Sequence, residues 1–298
     1  MDVKRIVLSA RCLVPRRLFT LYSALGTLLL LLVSCSTIQP PTKIALLAPF
    51  EGRYREIGYN ALYAARLAMQ DAGNTQIELL PIDDGGTEVS ATSRVLALRR
   101  DPQLAAVLVV GPASTDITAL EALEGIASLV VGHWGAQPVV NHVFILASPE
   151  IDLQLTLPAR IDVTDERLFD TSGRMIGNEI LALKQFSVLG GASEDVIVLT
   201  SASLPSAGFA TRYHDSDPFA PEPGLLASLT YDATSMLVEV VRQHASDRDA
   251  VRRALDEITY SGFNGLIQFE DGYWQNAPLH TYSYNADGNL LPVDSVIE

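Results

Sequence analysis

Bond-making chemistry finds little to work with in this chain. There is no Gly-x-Ser-x-Gly elbow, no His-Glu-x-x-His pair and no Walker-type phosphate loop, and the five histidines are scattered without a pair at ligand spacing. Catalysis is not expected, and neither is a cofactor. His214, Asp215, Asp217 and Glu222 gather oxygen groups that hard cations favour. They lack a fixed loop spacing, so the stretch reads as a solvated acidic surface rather than a metal site. The other notable polar groups stand just after apolar runs. Glu51–Ile57 follows one such run, Asp83 and Asp84 a second, Ser114 and Thr115 a third, and His133, Trp134 and Ala136 a fourth. If those runs are strands of one parallel sheet, their loops meet where open α/β sheets bind ligands.

The periodicity supplies those strands. Lys43–Ala48 is a short apolar run stopped by Pro49, as a strand buried on both faces should be. From Gly58 onward Leu62, Ala65, Met69 and Ala72 recur at steps of three and four, with Tyr63, Arg66 and Gln70 opposite, which predicts an amphipathic helix. The alternation continues through strands at 77–82, 105–110, 129–132 and 143–147, with helices at 89–99 and 117–127 between them. Thr118 and Glu121 are spaced as a capping box for the second of these helices. Strands and helices in this order predict a doubly wound parallel sheet. Asp83 and Asp84 are expected to shape the turn after the second strand.

Beyond 149 the pattern loosens. A crossing segment is expected at 149–158, short pieces at 160–163 and 167–169, a helix at 173–186, a strand at 196–200, and loop with a short helix near 209–213 up to 224. Helices return at 230–244 and after Asp247, where Asp247 or Asp249 favours the helix start. Strands at 263–269 and 279–284 and a tight turn at Asp287–Gly288 close the chain.

With close to half of its 298 residues hydrophobic, the chain can bury a large core. Beyond residue 34 it carries 16 basic and 34 acidic side chains, a net −18, so nucleic acid is not an expected partner. Its two cysteines, Cys12 and Cys35, lie at the amino-terminal end, leaving the body without a disulfide framework or thiolate metal site. Residues 1–17 are basic and 18–33 are dominated by leucine, which is the pattern of an export signal. Leu32-Val33-Ser34-Cys35 resembles a bacterial lipobox, implying a signal peptide over 1–34, acylation at Cys35 and a tether over 35–42. Two or more acyl chains would hold the protein at the extracytoplasmic face of a membrane.

The order KIALLAPFEGRYREIGYNALYAARLA, ELLPIDDGG, VLVVGPAST, LVVGHWGAQP resembles the first lobe of type I periplasmic binding proteins, the branched-chain amino acid branch above all. SLTYDATSMLVEVVRQHASDRDAVRRALDEI and FNGLIQFEDG resemble that family's closing segment. The resemblance implies two α/β lobes shutting on a small solute, such as an amino acid, amide or short peptide, for delivery to an ABC permease. It implies a first lobe at 43–148, a reduced second lobe at 149–224, return helices of the first lobe at 225–262 and closing strands at 263–298. By position it places Tyr54 in the first cleft loop, Ser114 and Thr115 in the third as donors to a ligand carboxylate, and Trp134 and Ala136 in the fourth. Trp134 could stack on a ligand or fill the lobe interface. Ala136 stands where the family offers a threonine hydroxyl, and near 191–194 no residue replaces the acid that pairs with a ligand ammonium. Weak or absent leucine binding is the expected consequence. The alternative is a degenerate binding-protein fold serving as a structural or regulatory lipoprotein without a small ligand.

Overall fold

The computed structural model describes residues 40–73, 76–138, 140–151, 160–162, 167–169, 174–186 and 194–293. The export segment, Cys35 and residues 152–158 of the crossing segment expected at 149–158 lie outside the described residues. In the first half, β1 (Thr42–Ala48), α1 (Arg55–Asp71), β2 (Ile77–Asp83), α2 (Glu88–Leu98), β3 (Leu104–Val109), α3 (Ile117–Ala122), β4 (Ala127–Val131) and β5 (Val143–Leu146) alternate in chain order. Then come β6 (Arg160–Asp162), β7 (Arg167–Phe169), β8 (Met175–Gly177), β9 (Val196–Thr200) and α4 (Ala207–Ser216). They are followed by α5 (Leu225–His244), α6 (Arg248–Asp256), β10 (Tyr260–Gly262), β11 (Gly265–Ile267), β12 (Phe269–Glu270), β13 (Tyr273–Trp274), β14 (His280–Tyr284) and β15 (Leu290–Pro292).

A seven-stranded sheet runs β12-β13-β5-β4-β3-β1-β2. All neighbours from β13 to β2 are parallel, and only β12 is reversed. Its side chains divide between two layers, as strict alternation requires. Ile44, Leu46 and Leu108 pack with Leu62 and Ala65 of α1 and Met236 and Val240 of α5. Ala45, Leu47, Val107 and Val130 pack with Val95 of α2 and Leu120 of α3 on the other side. Helices on both faces make this sheet doubly wound.

A second sheet runs β15-β14-β9-β8-β7-β6. Only β8 and β9 are parallel in it; the remaining pairs are antiparallel. Val196, Val198, Tyr282 and Tyr284 on one of its faces join the same core as α1 and α5. Ile176, Ile197 and Leu199 on the other form a small separate cluster with Ile151.

Several sequence expectations shift. The 173–186 stretch is a strand at Met175–Gly177 followed by single helical turns at Glu179–Ala182 and Lys184–Phe186. Pairing of β8 with β9 outweighs the weak helical pattern there. α3 ends at Ala122, and its cap is Asp116, whose carboxylate accepts the Thr118 N–H at 2.8 Å, rather than a Thr118–Glu121 box. Tyr63 belongs to a third cluster with Phe209 and Tyr213, because α4 covers the flank of α1 that the sequence pattern leaves to solvent. The single strand expected at 263–269 is divided: β11 pairs with β10 as a hairpin, and β12 turns onto the first sheet.

Candidate functional site

In the order 2-1-3-4-5 the chain reverses direction between β1 and β3, and the loops at their carboxyl ends flank the place where such sheets accept ligands. Here that place is packed. Asp83 accepts the Phe50 N–H at 2.7 Å and the Gly85 N–H at 3.1 Å, binding the first loop to the end of β2. Gly111, at φ +101°, lies so close that a Cβ there would sit 2.9 Å from the Pro49 ring. Asp84 is fully buried, and burial raises its carboxyl above the usual range, against the pull of the Gly86 N–H.

The hydroxyls expected to face a ligand are turned inward. Ser114 is buried and donates to the Val110 carbonyl at 2.7 Å, while Thr115 donates to the Gly111 carbonyl at 2.8 Å. Bonds to a carbonyl three or four residues back are a common local choice for serine and threonine, and the Ser114 hydroxyl also lies against the buried Asp84 carboxyl. Trp134 packs against both main clusters, and its indole N–H donates to the Val131 carbonyl at 2.7 Å. Tyr54, half-buried, stands at the start of α1 against the first cluster. Thr115 and Ala136 do share a pocket, of about 140 Å³, with Ile117, Leu120, Gly135 and Gln137. His214 and Asp217 of the acidic stretch form surface pairs with Glu222 at 3.3 Å and Arg66 at 3.7 Å.

The densest polar constellation is elsewhere, where the fourth loop meets the turn after β8. Asn178 caps that turn by accepting the Ile180 N–H at 3.0 Å, and its amide donates to the His133 carbonyl at 2.7 Å. Next to it, Glu179 is 1% exposed. Its carboxyl accepts the His133 main-chain N–H at 3.2 Å and the Thr200 hydroxyl at 2.7 Å. Burial raises this carboxyl above the ordinary range, opposed first by the nearby charge of His133 and then by the Thr200 hydroxyl. A second fastening lies at the first loop, where Glu56 accepts the Lys184 and Gln185 N–H groups at 2.6 and 3.1 Å. Between the two fastenings remains a void of about 20 Å³, lined by Glu56, Asn60, Glu179, Ala182, Leu183 and residues 224–226. Outside Glu56 and Asn60 an open cavity of about 500 Å³ is walled by Tyr59, Tyr63, Lys184 and Phe219.

Glu56 lies within the Glu51–Ile57 stretch expected at the sheet's ligand edge, whereas Glu179, Asn178 and Thr200 do not stand out in the sequence. The available signal is the polar pair Asn178–Glu179 set between Met175–Ile176 and Ile180–Leu181.

No family model and no curated protein matches the chain. Solved structures do. The branched-chain amino acid transporter substrate-binding protein of Streptococcus pneumoniae, in complex with isoleucine, aligns over 84% of this chain and 97% of its own, with TM-score 0.61 and 14% identity. The leucine-binding protein of Thermotoga maritima aligns over 85% and 98%, with TM-score 0.61 and 14% identity. A solute-binding protein of an ABC transporter from R. palustris, in complex with benzoate, aligns over 85% and 95%, with TM-score 0.62 and 14% identity. The chain has the type I periplasmic binding protein fold. Within that fold, the Asn178–Glu179 turn of the second sheet meets the His133 loop of the first. Among the described residues no helix is long and apolar enough to cross a membrane.

Proposed function

We propose that this chain is the extracytoplasmic solute-binding lipoprotein of an ABC importer, of the branched-chain amino acid type, anchored through Cys35. It captures a small polar solute at the junction between its two sheets and passes it to a permease. The observation that carries this reading is the junction itself: in an apolar setting of Leu183, Leu225 and Leu226, a few polar groups from both sheets converge on one buried point. Capture proceeds through an opened form, because about 20 Å³ falls far below the roughly 300 Å³ or more of a small-ligand site. Opening separates Asn178 and Glu179 from His133, and Glu56 from Lys184 and Gln185. Under this reading 43–148 with 225–262 form one lobe and 149–224 the other.

Residues 41–298 make up one compact unit. Melting that unit against amino acids, amides, short peptides and aromatic acids is the test, since a ligand bound only by the folded state raises the transition. A concentration-dependent rise with one class is expected, and a flat response to all of them sinks the proposal. Leucine should shift the transition weakly or not at all, since the third-loop hydroxyls are spent on their own backbone.

The same narrow void and paired fastenings favour a second reading, a permanently shut lipoprotein acting through protein contacts. Under it the flat melting response would be accompanied by slow, uniform hydrogen exchange on both sides of the junction.

A further inference from the structure

The Glu179 carboxyl has the arrangement of a bound ligand rather than of a structural side chain. Its hydrogen-bond partners are a main-chain N–H from one sheet and a hydroxyl from the other, the charge of His133 lies close by, and the adjoining void is lined by Leu183, Leu225 and Leu226 together with Glu56 and Asn60. A buried carboxyl is a poor filler: an apolar side chain of similar size would serve the packing as well or better. Asn178, one residue earlier, is fixed by its own cap and by the His133 carbonyl, so the backbone delivers the carboxyl to its partners without a search. Thr200 also accepts the Ala202 N–H at 3.0 Å, which orients its hydroxyl proton toward Glu179.

We infer that the His133 N–H and the Thr200 hydroxyl form a carboxylate seat, and that Glu179 occupies it as an internal ligand which an incoming carboxylate must displace. The inference rests on the junction being the capture site, and it adds the ligand's chemical class and a device that restrains capture. The solute presents a carboxylate to the seat, and its affinity is lowered by competition with a group tethered at high effective concentration.

The experiment empties the seat and refills it. In full-length Glu179→Ala the His133 N–H and Thr200 hydroxyl lose their acceptor, and the smallest carboxylates, formate and acetate, should bind in its place. At tens of millimolar, against sodium chloride of equal ionic strength, either salt should raise the Glu179→Ala melting temperature by about 2–4 °C. Wild type and Glu179→Gln, whose seats are filled, should not move, and adding Thr200→Val to Glu179→Ala should abolish the rise. A folded Glu179→Ala protein with no carboxylate-specific rise overturns the inference. If Glu179→Ala lacks a cooperative transition, the exchange rate of the His133 amide decides. It should be about tenfold faster in Glu179→Gln, where a neutral amide replaces a charge-capable acceptor, and an unchanged rate overturns the inference. Refilling of Glu179→Ala without any solute response in wild type would uphold the seat while removing transport. A wild-type solute response without refilling would uphold transport and remove the seat.

Discussion

The two sheets bury their strands by different means. In the first, every strand from β1 through β5 except the edge strand β2 is buried on both faces between helical layers, and β3 has no exposed residue along its six. In the second, β6, β7 and β8 are three residues each, all six strands pair antiparallel on at least one side, and β14 and β15 arrive from the far end of the chain. Two-sided burial produces long uniform stretches that pack to native density, whereas short mixed strands leave more of their stability to particular hydrogen bonds. Polar fastenings gather there: Glu179, Thr200, Asn178 and Tyr284 belong to the second sheet or its turns, with Glu56 of α1 the counterpart from the first half, and Tyr284 donates to the Leu181 carbonyl at 2.6 Å.

The largest test of this contrast is in the cores. Leu46→Ala, at a site with no solvent exposure between α1 and α5, should cost about 3–5 kcal/mol in denaturant unfolding. Ile176→Ala, 8% exposed in the small cluster of the second sheet, should cost about 2 kcal/mol. Equal losses would erase the distinction.

Next comes Asp232 of α5, which accepts the Phe263 and Asn264 N–H groups at 2.9 Å each and the Asn264 side-chain amide at 2.7 Å. Asn264 in turn accepts the Ser203 N–H at 2.8 Å, so this carboxyl ties the β10–β11 turn to the segment leaving β9. Asp232→Ala strands buried donors and should cost about 2–3 kcal/mol, with Asn264 amide exchange accelerated more than that of β3. A loss confined to a few tenths would show that water takes over those donors.

The pH response sharpens the contrast in sign. Glu179 has a carboxyl raised by burial, so the folded protein holds its proton more tightly than the unfolded chain. Its contribution is greatest at low pH and declines as pH rises above the ordinary value of 4.5. In the first sheet's margin, Asp101 is held down by the Lys43 ammonium 2.7 Å away, and its contribution is lost as pH falls below the ordinary 3.8. Glu179→Gln should therefore flatten the fall in stability above pH 4.5 in chemical denaturation, leaving the acid limb unchanged. Parallel curves for variant and wild type would contradict the assignment. Asp84 and Asp232, also raised by burial, tilt both curves alike and cancel in the difference.

The smallest expected effect is at a cap in the first lobe. Asp116→Ala removes the acceptor of the Thr118 N–H at the start of the one-and-a-half-turn helix α3, and should cost about 1 kcal/mol. A loss like that of Asp232→Ala would mean that the third loop, with Ser114 and Thr115, depends on this cap for its position.

What could be read from residues alone was decided by local periodicity. β1, α1, β2, α2, β3, β4, β5 and α5 follow from apolar runs and three-four spacings, because a strand sandwiched by helices must be apolar along its length and a helix on a sheet must be apolar on one side. The closeness of the first four loops follows from the same alternation. Glu179 could not be found that way. Its partners are 46 residues earlier and 21 later, and its placement depends on β8 pairing with β9, which no periodic signal announces. Nor could the sequence tell whether the hydroxyls of Ser114 and Thr115 point outward or fold back on Val110 and Gly111, since either choice satisfies the same groups. Composition and spacing set which loops share an edge. Only the packing of one sheet against the other decided that the Glu179 carboxyl meets the His133 loop and Thr200, because the energy of that contact belongs to groups that meet only once the chain has folded.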